Sequence, residues 1–172
     1  MTGLRLRQIV SGGQTGVDRA ALDVALELGI AVGGWCPKGR LAEDGPLERR
    51  YPLRETPEPD YAQRTEFNVR DSDATLIIAP RPLTGGTALT RQFVEQRRRP
   101  CLVVDPADVN AAAAIRRWLV EHEVAVLNIA GPRESTLPGA YDRATALLRR
   151  VLADLQWPHA PGNQGPHRPR TP

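Results

Sequence analysis

Five apolar runs punctuate the chain, at Leu4–Val10, Ile30–Gly34, Ala74–Ala79, Cys101–Asp105 and Val124–Ala130. Each predicts a strand of a parallel sheet, where both faces are covered and polar alternation is lost. Apolar positions at helical spacing fall between and after them, over about residues 15–28, 61–72, 87–98, 107–121 and 138–156. In the last stretch Tyr141, Ala144, Leu148, Val151, Leu152 and Leu155 mark one helical face. The fourth has Asp105 as a candidate N-cap, Pro106 at the first helical position and Asp108 at the positive end of the helix.

Strand and helix therefore alternate. The predicted fold class is α/β: a single doubly wound, Rossmann-like parallel sheet of about five strands with helices on both faces. Two segments depart from the alternation. Residues 36–60 form a long connection with Pro37, Pro46, Pro52, Pro57 and Pro59, the length and stiffness of a binding loop or lid. Residues 158–172 carry five prolines and nothing to bury, which predicts a disordered tail after a ligand-binding domain of residues 1–157.

The richest stretch follows the first strand: Ser11-Gly12-Gly13-Gln14-Thr15-Gly16-Val17-Asp18-Arg19-Ala20. Strand, glycine-rich turn and helix start in succession leave backbone N–H groups free to face an anion. The spacing is neither that of a P-loop nor a full G-x-G-x-x-G, because Ser11 stands at the first glycine position. A tight turn without a ligand is the other reading. Thr84-Gly85-Gly86-Thr87 repeats the arrangement after the third strand. If both loops grip one ligand, the first and third strands should be neighbours, predicting the order 2-1-3-4-5. One cleft would then be lined by Gly13, Gln14, Lys38, Gly85, Gly86 and Arg133.

Three further groups fit an anionic, ring-containing ligand. Trp35 begins the long loop ahead of Lys38-Gly39-Arg40, so a ring could stack while cations meet an anion; packing in the core is the other fate of Trp35. Arg133-Glu134-Ser135 follows the last strand, where Arg133 offers a planar fork to phosphate or pairs with Glu134. Asp18 and Arg19 complete the ligand-binding set from the first loop. Glu43 and Asp44 read as a solvated turn. Asn68, Asp71, Ser72 and Asp73 read as helix-end hydrogen bonding.

The 172 residues carry a net charge of +3, and Arg97-Arg98-Arg99 suits a helix C-terminus, so no nucleic-acid partner is expected. No run reaches membrane-spanning length, and the strand starting near residue 4 leaves no room for a leader. Cys36, Cys101 and the scattered His122, His159 and His167 fit no metal spacing, so neither a disulfide framework nor a protein-ligated metal is expected. A cytoplasmic protein with reduced thiols follows as the expectation.

Five segments together carry a resemblance: residues 11–23 (SGGQTGVDRAALD), 34–53 (GWCPKGRLAEDGPLERRYPL), 68–77 (NVRDSDATLI), 84–90 (TGGTALT) and 128–135 (NIAGPRES). In this order they resemble the molybdenum carrier family, within a Rossmann-like group that includes lysine-decarboxylase-like phosphoribohydrolases. The resemblance covers about residues 4–155. It implies a homo-oligomer that holds the molybdenum cofactor (molybdopterin), a pterin whose side chain ends in phosphate. The phosphoribohydrolase motif is only partly matched, since 83–90 (LTGGTALT) lacks its proline, added glycine and following glutamate. That departure favours a binding protein with no catalytic residues. A nucleotide-acting enzyme and an adenine-nucleotide sensor are the alternatives, and an enzyme would need Asp18, Glu43, Asp44 or Glu134 aimed at ribose.

Overall fold

The computed structural model describes residues 4–153. The tail expected over residues 158–172 lies outside them. The elements run β1 (Gln8–Val10), α1 (Val17–Glu27), β2 (Ala31–Gly33), β3 (Trp35–Cys36), β4 (Arg54–Glu55), α2 (Tyr61–Arg70), β5 (Ala74–Ile78), α3 (Gly85–Gln96), β6 (Cys101–Val104), α4 (Ala111–Glu121), β7 (Val126–Ala130) and α5 (Ala140–Leu152). Five parallel strands form the main sheet, and β3 pairs with β4 in a small parallel ribbon that the apolar pattern did not announce. The fold class is the expected Rossmann-like α/β.

The strand order corrects the expected 2-1-3-4-5. It is β2-β1-β7-β5-β6, so the last strand lies between the two that were expected to be neighbours. Burial explains the place of β7: four of its five residues are buried, as in a central strand, and Asn128 donates through Nδ2 to Thr75 Oγ1 on β5 at 3.2 Å. An apolar run shows that a strand is central, not which strands flank it.

Right-handed crossovers then assign the layers. The connections β1–α1–β2 and β6–α4–β7 step one way across the sheet, placing α1 and α4 on one face, where α5 packs against both. The steps from β2 through α2 to β5 and through α3 to β6 run the other way and pair α2 with α3 on the opposite face. The main core lies between the sheet and α1, α4 and α5, with Ile9, Leu76, Ile115, Leu127 and Leu148 fully buried.

A second, smaller core of Leu22, Cys36, Leu47, Tyr51 and Leu53 sits beneath the long connection. Its organiser is Arg40, whose guanidinium donates to the backbone carbonyls of Leu47 (2.9 Å), Leu53 (3.3 Å), Glu48 (2.8 Å) and Tyr51 (2.9 Å). Helix boundaries shift by a few residues. The largest correction is α4, which starts at Ala111 rather than 107; Asp105 instead accepts from Ala107 N in a turn, so Asp105 and Pro106 do not open the helix.

Candidate functional site

The loops after β1, β5 and β7 all leave the carboxyl edge of the sheet, where such folds bind ligands. They enclose a cleft of about 270 Å³. Gln14 lines it from the first loop and Asp18 from the start of α1, Thr84 from the second loop with Gly85, Gly86 and Thr87 at the start of α3, and Arg133 and Ser135 from the third loop. The two glycine loops thus face one cleft although their strands are not neighbours, because β7 between them ends in a loop that forms its floor. Tyr61, Arg64 and Thr65 of α2 close the remaining wall and were not singled out from sequence. Their spacing of i, i+3 and i+4 was the available signal, since it gathers a tyrosine, an arginine and a threonine on one helix face.

Three N–H groups of the first glycine loop and the helix start after it are taken by the protein. Gln14 N–H donates to Asp18 Oδ2 (3.4 Å), Thr15 N–H to Gln14 Oε1 (3.0 Å) and Val17 N–H to Pro132 O (3.2 Å). Its glycines make room for neighbours. A Cβ on Gly12 would lie on the Arg64 guanidinium, one on Gly13 would lie 2.7 Å from Leu47 Cδ2, and one on Gly16 would lie 2.3 Å from Pro132 O. Gly12 and Gly13 accordingly stand outside the cleft lining.

The second loop is the opposite case. A Cβ on Gly85 or Gly86 meets nothing within 4 Å, and the Thr84 side chain makes no capping hydrogen bond. The N–H groups of Gly85 and Gly86 lie in the first turn of α3, where a helix offers no partner of its own.

The basic groups divide. Arg64 pairs with Asp18 at 3.2 Å, and both side chains are nearly enclosed. Burial pushes the Asp18 carboxyl above its usual range, against the opposing pull of Arg64, the Gln14 N–H, Ser11 and Arg19. Arg133 lies 5.6 Å from the centre of the Tyr61 ring and 4.0 Å from Glu43 rather than on Glu134. Glu134 instead accepts from the N–H groups of Gly139 and of Tyr141 (3.0 Å) at the start of α5.

Trp35, Lys38, Gly39 and Arg40 do not line the cleft. Trp35 borders a separate cavity of about 310 Å³ beneath α2, with its Nε1 on Asp71 at 2.7 Å and its ring against Phe67. Lys38 and Gly39 are exposed, and Arg40 is committed to the long connection. The expected single cleft is thus corrected by the loss of Gly13 and Lys38. Here β3, at the start of the connection, pairs with β4 near its end.

Glu43 and Asp44 prove to be straps. Asp44 takes Arg19 in a two-bond fork at 3.0 and 3.1 Å. Glu43 accepts from the hydroxyls of Thr15 and Ser135 and from Ser135 N–H (3.1 Å), while its own N–H donates to Gln14 Oε1 (2.8 Å). Partial burial raises the Glu43 carboxyl, but the Ser135 and Thr15 donors and Arg133 outweigh it and hold it below the ordinary 4.5. A depressed folded-state value means that the strap is complete above about 4.5 and is lost as pH falls through the lower folded value. Glu43→Gln should therefore speed amide exchange over residues 41–47 near pH 7 and flatten its acid dependence. Wild-type exchange and acid response in the variant would remove the strap.

Among the described residues no three His, Cys, Asp or Glu side chains gather as a metal site, and no helix is long and apolar enough to cross a membrane.

Comparison with known proteins places the chain. It belongs to the circularly permutated YpsA SLOG family. The family matches residues 9–152. Permutation accounts for the strand order. Counting the five main-sheet strands from the last one turns 2-1-5-3-4 into 3-2-1-4-5, the Rossmann order through its fifth strand. A crystal structure of a "putative molybdenum carrier protein" from Syntrophus aciditrophicus SB is similar to this chain at 50% identity, with a TM-score of 0.84, covering 86% of this chain and 96% of that one. No curated protein matches.

Proposed function

We propose that this protein binds and carries a phosphorylated, ring-containing small molecule, with the phosphate at the start of α3. The observation that carries this reading is the open second glycine loop. Gly85 and Gly86 present backbone N–H groups at the positive end of a 12-residue helix, with no protein atom where their side chains would be. Arg133 and Tyr61 stand across the same cleft, a cation for the ligand's negative charge and an aromatic surface for its ring.

The molybdenum cofactor is the named candidate cargo, supported by the 50%-identical neighbour called a molybdenum carrier and by the fit of a phosphate-ended pterin to this donor set. Holding rather than reacting is supported by the four carboxylates an enzyme would use. Glu43 and Asp44 are straps, Glu134 serves α5 and Asp18 is paired with Arg64.

Gly86→Leu tests the site. A side chain in the first turn leans toward the helix N-terminus and so over the N–H groups. Leucine is also about 1 kcal/mol better than glycine within a helix. The melting temperature should hold or rise while the affinity for inorganic phosphate, read by calorimetry, falls at least tenfold. Unchanged affinity in the folded variant would refute the reading.

A further inference from the structure

Gln14 holds a donor that the protein does not use. The residue is 4% exposed. Its Oε1 accepts from Thr15 N–H at 3.0 Å and Glu43 N–H at 2.8 Å, and only the oxygen of an amide can accept, so the orientation of the group is determined. Nε2 is thereby left buried with two hydrogens and no partner. Arg64, which lines the same cleft, carries a second buried donor without a partner at Nε. Leaving a buried donor unpaired costs about 1–3 kcal/mol, which makes two on residues of one cleft a sign that an acceptor arrives from outside.

The charge of this corner restricts that acceptor. The Arg64 guanidinium already faces the Asp18 carboxylate at 3.2 Å. The corner thus offers hydrogens with its charge balanced, which suits a carbonyl oxygen better than a second phosphate. Topology restricts the reach. The loops after β1 and β5 are separated by β7, two strand spacings or about 10 Å. A ligand anchored at Gly85 and Gly86 that reaches Gln14 therefore has to extend past the end of β7, which favours a molecule longer than phosphate.

We propose that Gln14, with Arg64, reads a ring carbonyl on the phosphoester whose phosphate lies at the start of α3. The inference rests on the phosphate site proposed above. The shared ligand chemistry is an oxo-bearing ring carried on a phosphoester, with an oxopurine nucleotide and a phosphorylated pterin as its two sources.

Calorimetry on the full chain at pH 8, with inorganic phosphate, ribose 5-phosphate, inosine monophosphate, adenosine monophosphate and neopterin phosphate, tests it. At least one oxo-bearing probe should bind tenfold or more tighter than ribose 5-phosphate. Its identity distinguishes the purine from the pterin source. Adenosine monophosphate should lack the margin of its oxo counterpart if the purine is preferred, because its amino group would place donor against donor. Gln14→Glu keeps an oxygen for Thr15 and Glu43 but exchanges the free amide nitrogen for oxygen. It should erase the margin of the oxo-bearing probes over ribose 5-phosphate when both are measured in that variant, whatever the added charge does to all anions alike. Equal affinity of ribose 5-phosphate and both oxo-bearing probes overturns the inference while the phosphate site stands. So does a margin that survives in Gln14→Glu. Should that variant not fold, the wild-type comparison of oxo-bearing probes with ribose 5-phosphate decides alone. Failure of every probe, inorganic phosphate included, overturns the phosphate site and this inference with it.

Discussion

Gly16→Ala is expected to destabilise the protein by about 3–5 kcal/mol, although it adds a single methyl group. Gly16 has a φ of 75°, a conformation that L side chains rarely adopt. The added Cβ would also lie 2.3 Å from Pro132 O, 2.9 Å from Glu134 N and 3.0 Å from Arg133 C. All three are backbone atoms, so no rotamer change relieves the overlap. Moving that backbone away would break the 3.2 Å bond from Val17 N–H to Pro132 O, which ties α1 to the loop after β7. Gly29→Ala separates strain from packing, because Gly29 has a φ of 71° but nothing within 4 Å of a Cβ. That control should cost only about 1–2 kcal/mol. Thermal melts of the two variants should differ by roughly 4 °C or more. Equal melting temperatures would show that the close approach at Gly16 is without consequence.

Arg40→Ala is expected to cost about 2–4 kcal/mol and to loosen residues 40–53 as a unit. The side chain donates four hydrogen bonds to carbonyls that turn the connection around the small core of Leu47, Tyr51 and Leu53. Water replaces part of what is lost at the exposed Glu48 carbonyl, whereas Leu47, Tyr51 and Leu53 are buried residues. Lysine has no planar fork to span four acceptors, so Arg40→Lys should recover less than half of the loss. Hydrogen exchange across the connection and the melting temperature report the effect. A melt within 2 °C of wild type would show that the connection is held by its apolar contacts alone. The sequence pointed Arg40 at a ligand anion, whereas in the fold its guanidinium meets carbonyls: one arginine in a glycine-bearing loop looks the same whether its acceptors are phosphate oxygens or carbonyls folded back from residues 47–53.

The periodicity of the chain by itself determined the five main strands and five helices, because burial on both faces of a parallel sheet leaves uninterrupted apolar runs and helix faces leave a 3.6-residue rhythm. Turn chemistry likewise marked residues 11–16, 84–87 and 131–135 as loops that follow strands at one edge of the sheet, since glycine between strand and helix signals a tight turn or a close approach. Tertiary structure alone decided the rest. It inserted β7 between β1 and β5, a choice made by packing that leaves no local trace in an apolar run. It also divided two similar glycine loops. At Gly12, Gly13 and Gly16 the missing side chains are replaced by Arg64, Leu47 and Pro132, while at Gly85 and Gly86 the space is open. Glycine in a sequence states that room is needed. What fills that room is set by residues up to 118 positions away, and only the folded chain brings them there.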